Sequence, residues 1–162
     1  MDAGAPRFVT DPDLFPLCRA LRMVGIDALN RGNLTPSEAI EKAIEEHRIW
    51  VRSSSENLNL QYGIRYFIVS SEDVPGQLEE LDRQFSLKAH AAPFSRCLKD
   101  NALIGEIPKN QVGDRAPENI LQTCDQFFEC PLCGRVYWHG SHIQRMAKRL
   151  ALWGWKVHID NR

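Results

Sequence analysis

Between residues 7 and 85 the chain alternates short β-rich runs with helix-patterned ones, and this alternation restricts the fold more than any other feature. RFVTD at 7 to 11 reads as a strand. PDLFPLCRALRMVG then places Leu14, Leu17, Cys18, Leu21 and Val24 at helical spacing and ends on Gly25, a residue favoured at helix C-termini. A strand IDAL, a helix at about 36 to 47, the strand RIWV, a polar loop SSSENLN, the strand YFIVS and the helix PGQLEELDRQF complete the series. Parallel strands need crossover connections, and helices supply them, so the alternation predicts an α/β fold with a parallel sheet covered on both faces.

The pattern stops after Phe85. The stretch from SLKAHAAPFSRCLKDN through NQVGDRAPEN lacks helical periodicity and is punctuated by Pro and Gly, which places a boundary near 86 to 95. A chain of 162 residues, 43% of them apolar, can bury one proper core and still carry a smaller module. That module holds Cys97, Cys124, Cys130 and Cys133, whereas Cys18 belongs with the core of the first helix. It runs into SHIQRMAKRLALW, where Ser141 is the expected N-cap and Ile143, Met146, Leu150 and Trp153 form an apolar stripe opposite Arg145, Lys148 and Arg149. The expected division is an α/β domain over 1–88, a cysteine-bearing module over 89–143, and a basic C-terminal helix and tail over 144–162.

Five cysteines, two of them in a C-x-x-C pair, fit metal ligation in a reducing compartment better than a disulfide framework. Structural zinc takes four tetrahedral ligands, and a zinc ribbon brings two pairs together from separate hairpin tips. Cys130 and Cys133, with Pro131 between them and Gly134 after, have the form of one tip. Cys97 is the best candidate from the other, with Asp100 three residues on offering a carboxylate oxygen. Cys124, His139 and His142 are alternatives for the fourth position.

A net charge of -1 and a pI near 6.5 exclude a protein coated in positive charge, so any nucleic-acid surface must be local. The distribution is uneven. From Arg135 onward the basic residues Arg135, Arg145, Lys148, Arg149, Lys156 and Arg162 face the single acid Asp160, whereas 72 to 83 carries five acids and one arginine. Near the cysteines lie Arg96, Arg135, Tyr137, Trp138, His139, His142, Arg145, Lys148 and Arg149. Cations attract phosphates and aromatic faces stack on unpaired bases, so this mixture suits single-stranded nucleic acid. The competing reading has Tyr137 and Trp138 filling a small core, with Lys148 and Arg149 on a solvated helix face. No apolar run approaches the roughly 20 residues that span a bilayer, and MDAGAPRFVTD lacks the pattern of a secretion signal. The expectation is a soluble intracellular protein, located in the cytoplasm.

Parallel α/β domains work at the carboxyl ends of their strands, which directs attention to Asp11, Asp13, Glu38, Glu72 and Asp73. A cluster of such carboxylates could hold Mg²⁺ or Mn²⁺ and activate water against a phosphodiester. Each acid also has a structural task open to it: Asp11 before Pro12 suits a helix N-cap, and Thr35-Pro36-Ser37-Glu38 matches a capping box.

The segments FVTD-P-x-L with L-R-M-V-G, F-S-R-C, and C-P-L-C-G-R-V-Y-W-H-G-S-H together resemble the C-terminal RNase-like module of mutator-type 3′-to-5′ exoribonucleases, the group that includes the Nibbler trimming enzyme. The module also occurs as small stand-alone prokaryotic proteins. The resemblance implies a PIN-like α/β domain joined to a zinc ribbon. It implies that Asp11 and Glu38 fall on catalytic acids, and that Cys97, Cys130 and Cys133 fall on zinc cysteines. Two positions depart from it: Ser54 replaces an acid after the third strand, and Asp100 replaces the fourth zinc cysteine. Losing one carboxylate removes a negative charge from a dication site, so the nuclease is expected to be degenerate unless Glu72 or Asp73 compensates. The resemblance further implies non-sequence-specific RNA binding beside an exonuclease domain, in the same or an associated chain, and docking of a small-RNA silencing partner. An active Mg²⁺- or Mn²⁺-dependent PIN-type endoribonuclease and a pure protein-interaction module are the alternatives.

Overall fold

Four short strands, β1 (Arg7–Thr10), β2 (Asp27–Asn30), β3 (Ile49–Arg52) and β4 (Tyr66–Ile68), form an all-parallel sheet in the order β2-β1-β3-β4. The computed structural model describes residues 4–32, 34–55 and 63–157. The polar loop expected at 53–59 lies, from residue 56 on, outside the described residues. The chain divides into two compact units, Met1–Phe94 and Ser95–Arg162.

In the first unit β1 is hydrogen-bonded on both sides, and its side chains alternate between two buried faces. Phe8 and Val9 are both completely buried, pointing in opposite directions as strand geometry requires. On the Val9 side, helix α2 (Pro36–Glu45) closes over the sheet through a cluster of Val9, Ala43 and Trp50. On the Phe8 side, α3 (Val74–Phe85) brings Phe85 edge-on against Phe8 and Phe67, at 5.5 and 5.6 Å between ring centroids. Helix α1 (Phe15–Met23) packs beside α3 and buries Leu17, Cys18 and Leu21. Cys18 is a core thiol whose Sγ lies 3.4 Å from the Ala28 carbonyl oxygen. The segment preceding α1, Pro12–Leu14, is a 3₁₀ turn rather than its first helical turn. No helix among the described residues is long and apolar enough to cross a membrane.

At the amino edge of this sheet Arg48 lies almost fully buried and binds Asp27, Glu46 and the Phe8 carbonyl, with Arg7 reaching Asp27 and Glu46 from outside. The network ties β1, β2 and the end of α2 together, and it leaves the carboxyl edge as the face with chemistry to spare.

The second unit contains a three-stranded antiparallel sheet in the order β5 (Gly105–Ile107), β6 (Phe127–Glu129), β7 (Val136–Trp138). Between β5 and β6 the chain makes two 3₁₀ turns and the short helix α4 (Glu118–Thr123). These cover one face of the sheet through Val112, Ala116, Phe127 and Val136, with Trp138 and Cys124 at the margin. Helix α5 (Ser141–Leu152) buries Ile143, Met146, Ala147 and Leu150. Its boundary differs from expectation. Gly140, not Ser141, occupies the N-cap position, where a Cβ would come within 3.0 Å of the Trp138 indole nitrogen. Trp153 falls at the C-cap, so Ala147 belongs to the stripe in its place, while Trp155 beyond the helix is buried.

Gly25 is the backbone position on which the first unit is most exacting. Its φ is +86°, and a Cβ there would lie 2.1 Å from the Ala92 carbonyl oxygen. The close approach lets Ala92 and Phe94 donate to the last carbonyls of α1, Val24 and Met23, both at 3.0 Å. Gly25→Ala is therefore expected to destabilise the fold by more than about 2 kcal/mol, through left-handed strain plus steric overlap. Urea unfolding checks this as a lowered midpoint with an unchanged slope.

Candidate metal centre and a closed carboxylate site

Two turns of the second unit have the same backbone construction although their sequences differ. In CLKDN, the Asn101 N–H donates to the Cys97 carbonyl at 2.9 Å and the Cys97 N–H donates to Ala102 at 2.8 Å. In CPLCG, Gly134 donates to Cys130 at 2.9 Å and Cys130 donates to Arg135 at 3.0 Å. The fifth residue of each turn is left-handed, Asn101 at φ +67° and Gly134 at φ +67°. Asn and Gly are the residues that tolerate this conformation, so the second turn's shape is forecast by Gly134 and the first's by Asn101. Asp100 thus occupies in one turn the place that Cys133 occupies in the other.

The two turns bring the Cys97, Asp100, Cys130 and Cys133 ligand atoms within 4.8 Å of one another. Cys97 Sγ and Cys133 Sγ are 3.9 Å apart, and Asp100 Oδ2 lies 3.7 Å from both Cys97 Sγ and Cys130 Sγ. Tetrahedral ligands at zinc bond lengths hold two sulfurs about 3.8 Å apart, and a sulfur and an oxygen about 3.5 Å apart. The donor set and its spacing are therefore compatible with zinc. Cys97 and Cys130 are fully buried, while Cys133 faces solvent.

The proton affinities of the cluster show how tightly its members interact. The Cys133 thiol donates to Asp100, and this holds the Asp100 carboxyl below its ordinary range while pushing Cys133 up to about 11. Burial raises Cys97, but the Tyr137 hydroxyl and the backbone N–H groups of Asp100 and Lys99 outweigh it and bring the thiol below its ordinary value. Tyr137 is raised, by burial first and by Cys97 second; its hydroxyl oxygen lies 3.0 Å from Cys97 Sγ.

The other candidates for the fourth position lie elsewhere. Cys124 packs at the edge of the small core, with Sγ 3.9 Å from the His139 carbonyl oxygen. The His139 ring stacks on Phe128 at 6.0 Å, and His142 is exposed at the start of α5. None of the three joins the four-residue group.

The nine residues read as an RNA surface separate into two sets. Arg96 donates to the Asn101 carbonyl at 2.8 Å and braces the first turn, Tyr137 contacts Cys97, and Trp138 packs against Phe127. Arg135, His139, His142, Arg145, Lys148 and Arg149 are exposed. Among the described residues, Arg135, Arg145, Lys148 and Arg149 form no ion pair. Sequence reasoning missed Phe128, whose alternation with Phe127 puts it on the sheet face opposite the small core.

In the first unit, Asp11 leaves β1 at the carboxyl edge of the sheet, where the strand order reverses between β1 and β3. This is the place at which open α/β sheets bind ligands. Its carboxylate is enclosed. Trp50 Nε1 donates to Oδ1 at 2.9 Å, Arg52 Nε donates to Oδ2 at 3.1 Å, and Arg31 Nε lies 3.7 Å from Oδ1. The Arg52 guanidinium also stands 4.8 Å over the Trp50 ring. Asp11 is 8% exposed. Two protein cations thus stand beside the carboxylate.

Glu38 is exposed and does not join Asp11. It accepts from the Thr35 N–H at 2.6 Å and the Thr35 hydroxyl at 2.8 Å, completing a capping box that lowers its proton affinity. Asp73 caps α3 by accepting from Gly76 N–H at 2.9 Å, and Asp13 and Glu72 are exposed. Among the described residues, no group of three carboxylates gathers at Asp11. Sequence reasoning noted Ser54 in place of an acid but missed Arg31, Trp50 and Arg52 as partners of Asp11. Their separations from it along the chain leave no local pattern to read.

A family model described as the Mut7-C RNAse domain matches residues 6–150 of the chain. Neither the curated proteins nor the solved structures contain a match.

Cys130→Ser is expected to abolish bound metal, and Asp100→Ala to weaken it while leaving three thiolates in place. Cys124→Ala is expected to leave the metal content unchanged. Metal analysis of the purified variants, with a competing chelator to rank affinity, checks all three; metal lost from Cys124→Ala would contradict the ligand set.

Proposed function

The chain belongs to the Mut7-C RNAse domain family, and from that premise we propose that it is an RNA-binding accessory module whose nuclease centre is silent. The observation that carries this reading is the enclosure of Asp11. A carboxylate whose two oxygens already accept from Trp50 and Arg52, with the Arg31 guanidinium alongside, has its charge balanced by protein cations, and those cations repel a dication. A PIN-type nuclease needs such a dication to activate water and to neutralise the charge of the scissile phosphate.

Zinc held by Cys97, Asp100, Cys130 and Cys133 is structural in this proposal, forming a ribbon. When bound, it supplies cross-linking of two turns that have little apolar core of their own. Those residues fix the turns; the exposed cations of α5 and Arg135 then meet RNA phosphates, and His139 offers a ring for an unpaired base. The charge distribution supports the division of labour. Ser95–Arg162 carries ten lysines and arginines against seven acids, whereas Met1–Phe94 carries ten against fourteen. The RNA is single-stranded and bound without sequence preference. The module works with a 3′-to-5′ exoribonuclease domain, in the same or an associated chain, and docks a partner protein of a small-RNA silencing pathway in the cytoplasm.

Reversing Arg145, Lys148 and Arg149 to Glu together is expected to weaken binding of a single-stranded RNA at least tenfold. It should also flatten the salt dependence, by about 2 in the slope of log K against log[salt] if three phosphate contacts are lost. Filter binding or fluorescence anisotropy over a salt series reads both. In the same preparation, Mn²⁺ with excess protein over circular RNA should give no cleavage. Cleavage abolished by Asp11→Asn would overturn the silent-centre reading, and RNA affinity unmoved by the triple variant would remove α5 from the interface.

A further inference from the structure

Tyr137 stands in β7 between Val136 and Trp138, both of which face the small apolar core. Strand alternation therefore turns Tyr137 to the other face, where it pairs across the sheet with Phe128. There its hydroxyl meets the Cys97 sulfur at 3.0 Å. The Leu98 backbone N–H is directed at the same hydroxyl oxygen, so a lone pair is engaged and the hydroxyl hydrogen is left for the sulfur. The Asp100 N–H, 3.4 Å from Cys97 Sγ, supplies a second donor.

Three thiolates and a carboxylate around a dication leave a centre with a net charge of about −2. Cys133 can spread part of that charge into solvent, but Cys97 is completely buried and cannot. A buried thiolate needs hydrogen-bond donors in place of water. We propose that Tyr137 is a positioning residue of the metal centre, its hydroxyl donating to the buried Cys97 thiolate and fixing that sulfur for the metal, and that it is not an RNA-stacking residue. The inference rests on the metal reading of the four-donor cluster. It assigns the first aromatic residue after the C-x-x-C pair to hold a ligand of the metal, and it leaves His139 as the exposed ring on that stretch.

The test is Tyr137→Phe, which removes one oxygen and keeps the ring. Cobalt(II) titration of wild type and variant is expected to show affinity weaker by on the order of tenfold in the variant. The thiolate-to-cobalt absorption band should also move to lower energy, because a sulfur without its hydrogen bond is a better electron donor. RNA affinity of the metal-saturated variant should match wild type. An affinity within twofold of wild type and an unshifted band would overturn the proposal, as would lost RNA binding with unchanged metal parameters. Absence of thiolate–cobalt bands in wild type would instead overturn the metal reading itself. A measurement on wild type alone covers the case of a variant that does not fold. In ¹¹³Cd-loaded protein, the Tyr137 hydroxyl proton should exchange slowly and couple to the metal through Cys97, and a rapidly exchanging, uncoupled proton would also overturn the proposal.

Discussion

The contact of Asp11 with Arg52 and Trp50 governs both the architecture and the chemistry of the first unit. Asp11 closes the middle strand of the sheet, Trp50 and Arg52 belong to its neighbour β3, and Arg31 follows β2 on the other side. One carboxylate therefore links the ends of three strands at the point where the strand order reverses. Arg52 and Asp11 are each only about a tenth exposed, at 12% and 11% of their side-chain surface. Removing either partner of such a pair leaves a charge poorly solvated, which is more costly than the pair's net contribution to stability. The fold thus depends on a cation at this place, and the protein supplies it internally.

The second unit solves a different problem. Its antiparallel sheet has strands of three residues each, and the cluster on one face of that sheet has four buried side chains with a few partly buried neighbours. A cluster of that size contributes little stability to the sheet. Two turns of identical hydrogen-bond pattern bring four metal-type donors to one point instead. The same sheet carries Tyr137 on the side of the cysteine cluster and Trp138 on the core side, so adjacent aromatic residues have unlike surroundings. The exposed cations of α5 need no place in either arrangement, which leaves them available to a polyanion.

Much of the α/β organisation was legible because it rests on local periodicity. The spacing of Leu17, Cys18 and Leu21 marks α1, Thr35 and Glu38 mark the start of α2, and Gly25 marks a stop. The element ends were less legible. Pro12–Leu14 is a separate 3₁₀ turn, and Gly140 takes the cap expected of Ser141, because these outcomes depend on how the flanking side chains pack. The metal-type cluster was readable from the C-x-x-C pair and from Cys97 and Asp100 at the same spacing, whereas the left-handed turn that Asn101 shares with Gly134 emerged only in the fold. The partners of Asp11 were not readable. Arg31, Trp50 and Arg52 lie 20, 39 and 41 residues from it, and only the strand order β2-β1-β3 brings them to one carboxylate. Tyr137 left both base stacking and core filling open in the sequence, and its contact with a sulfur from the other turn depends on the fold.

The Asp11 carboxylate is held by the protein's own guanidinium groups, and these stand where a dication bound to it would have to sit. Electron paramagnetic resonance of Mn²⁺ titrated into the protein, with the cysteine centre already saturated by zinc, tests this without reliance on any substrate. Mn²⁺ is expected to stay in its free aqueous form, and Asp11→Asn to change nothing in the titration. Stoichiometric Mn²⁺ binding to wild type, lost in Asp11→Asn, would contradict this.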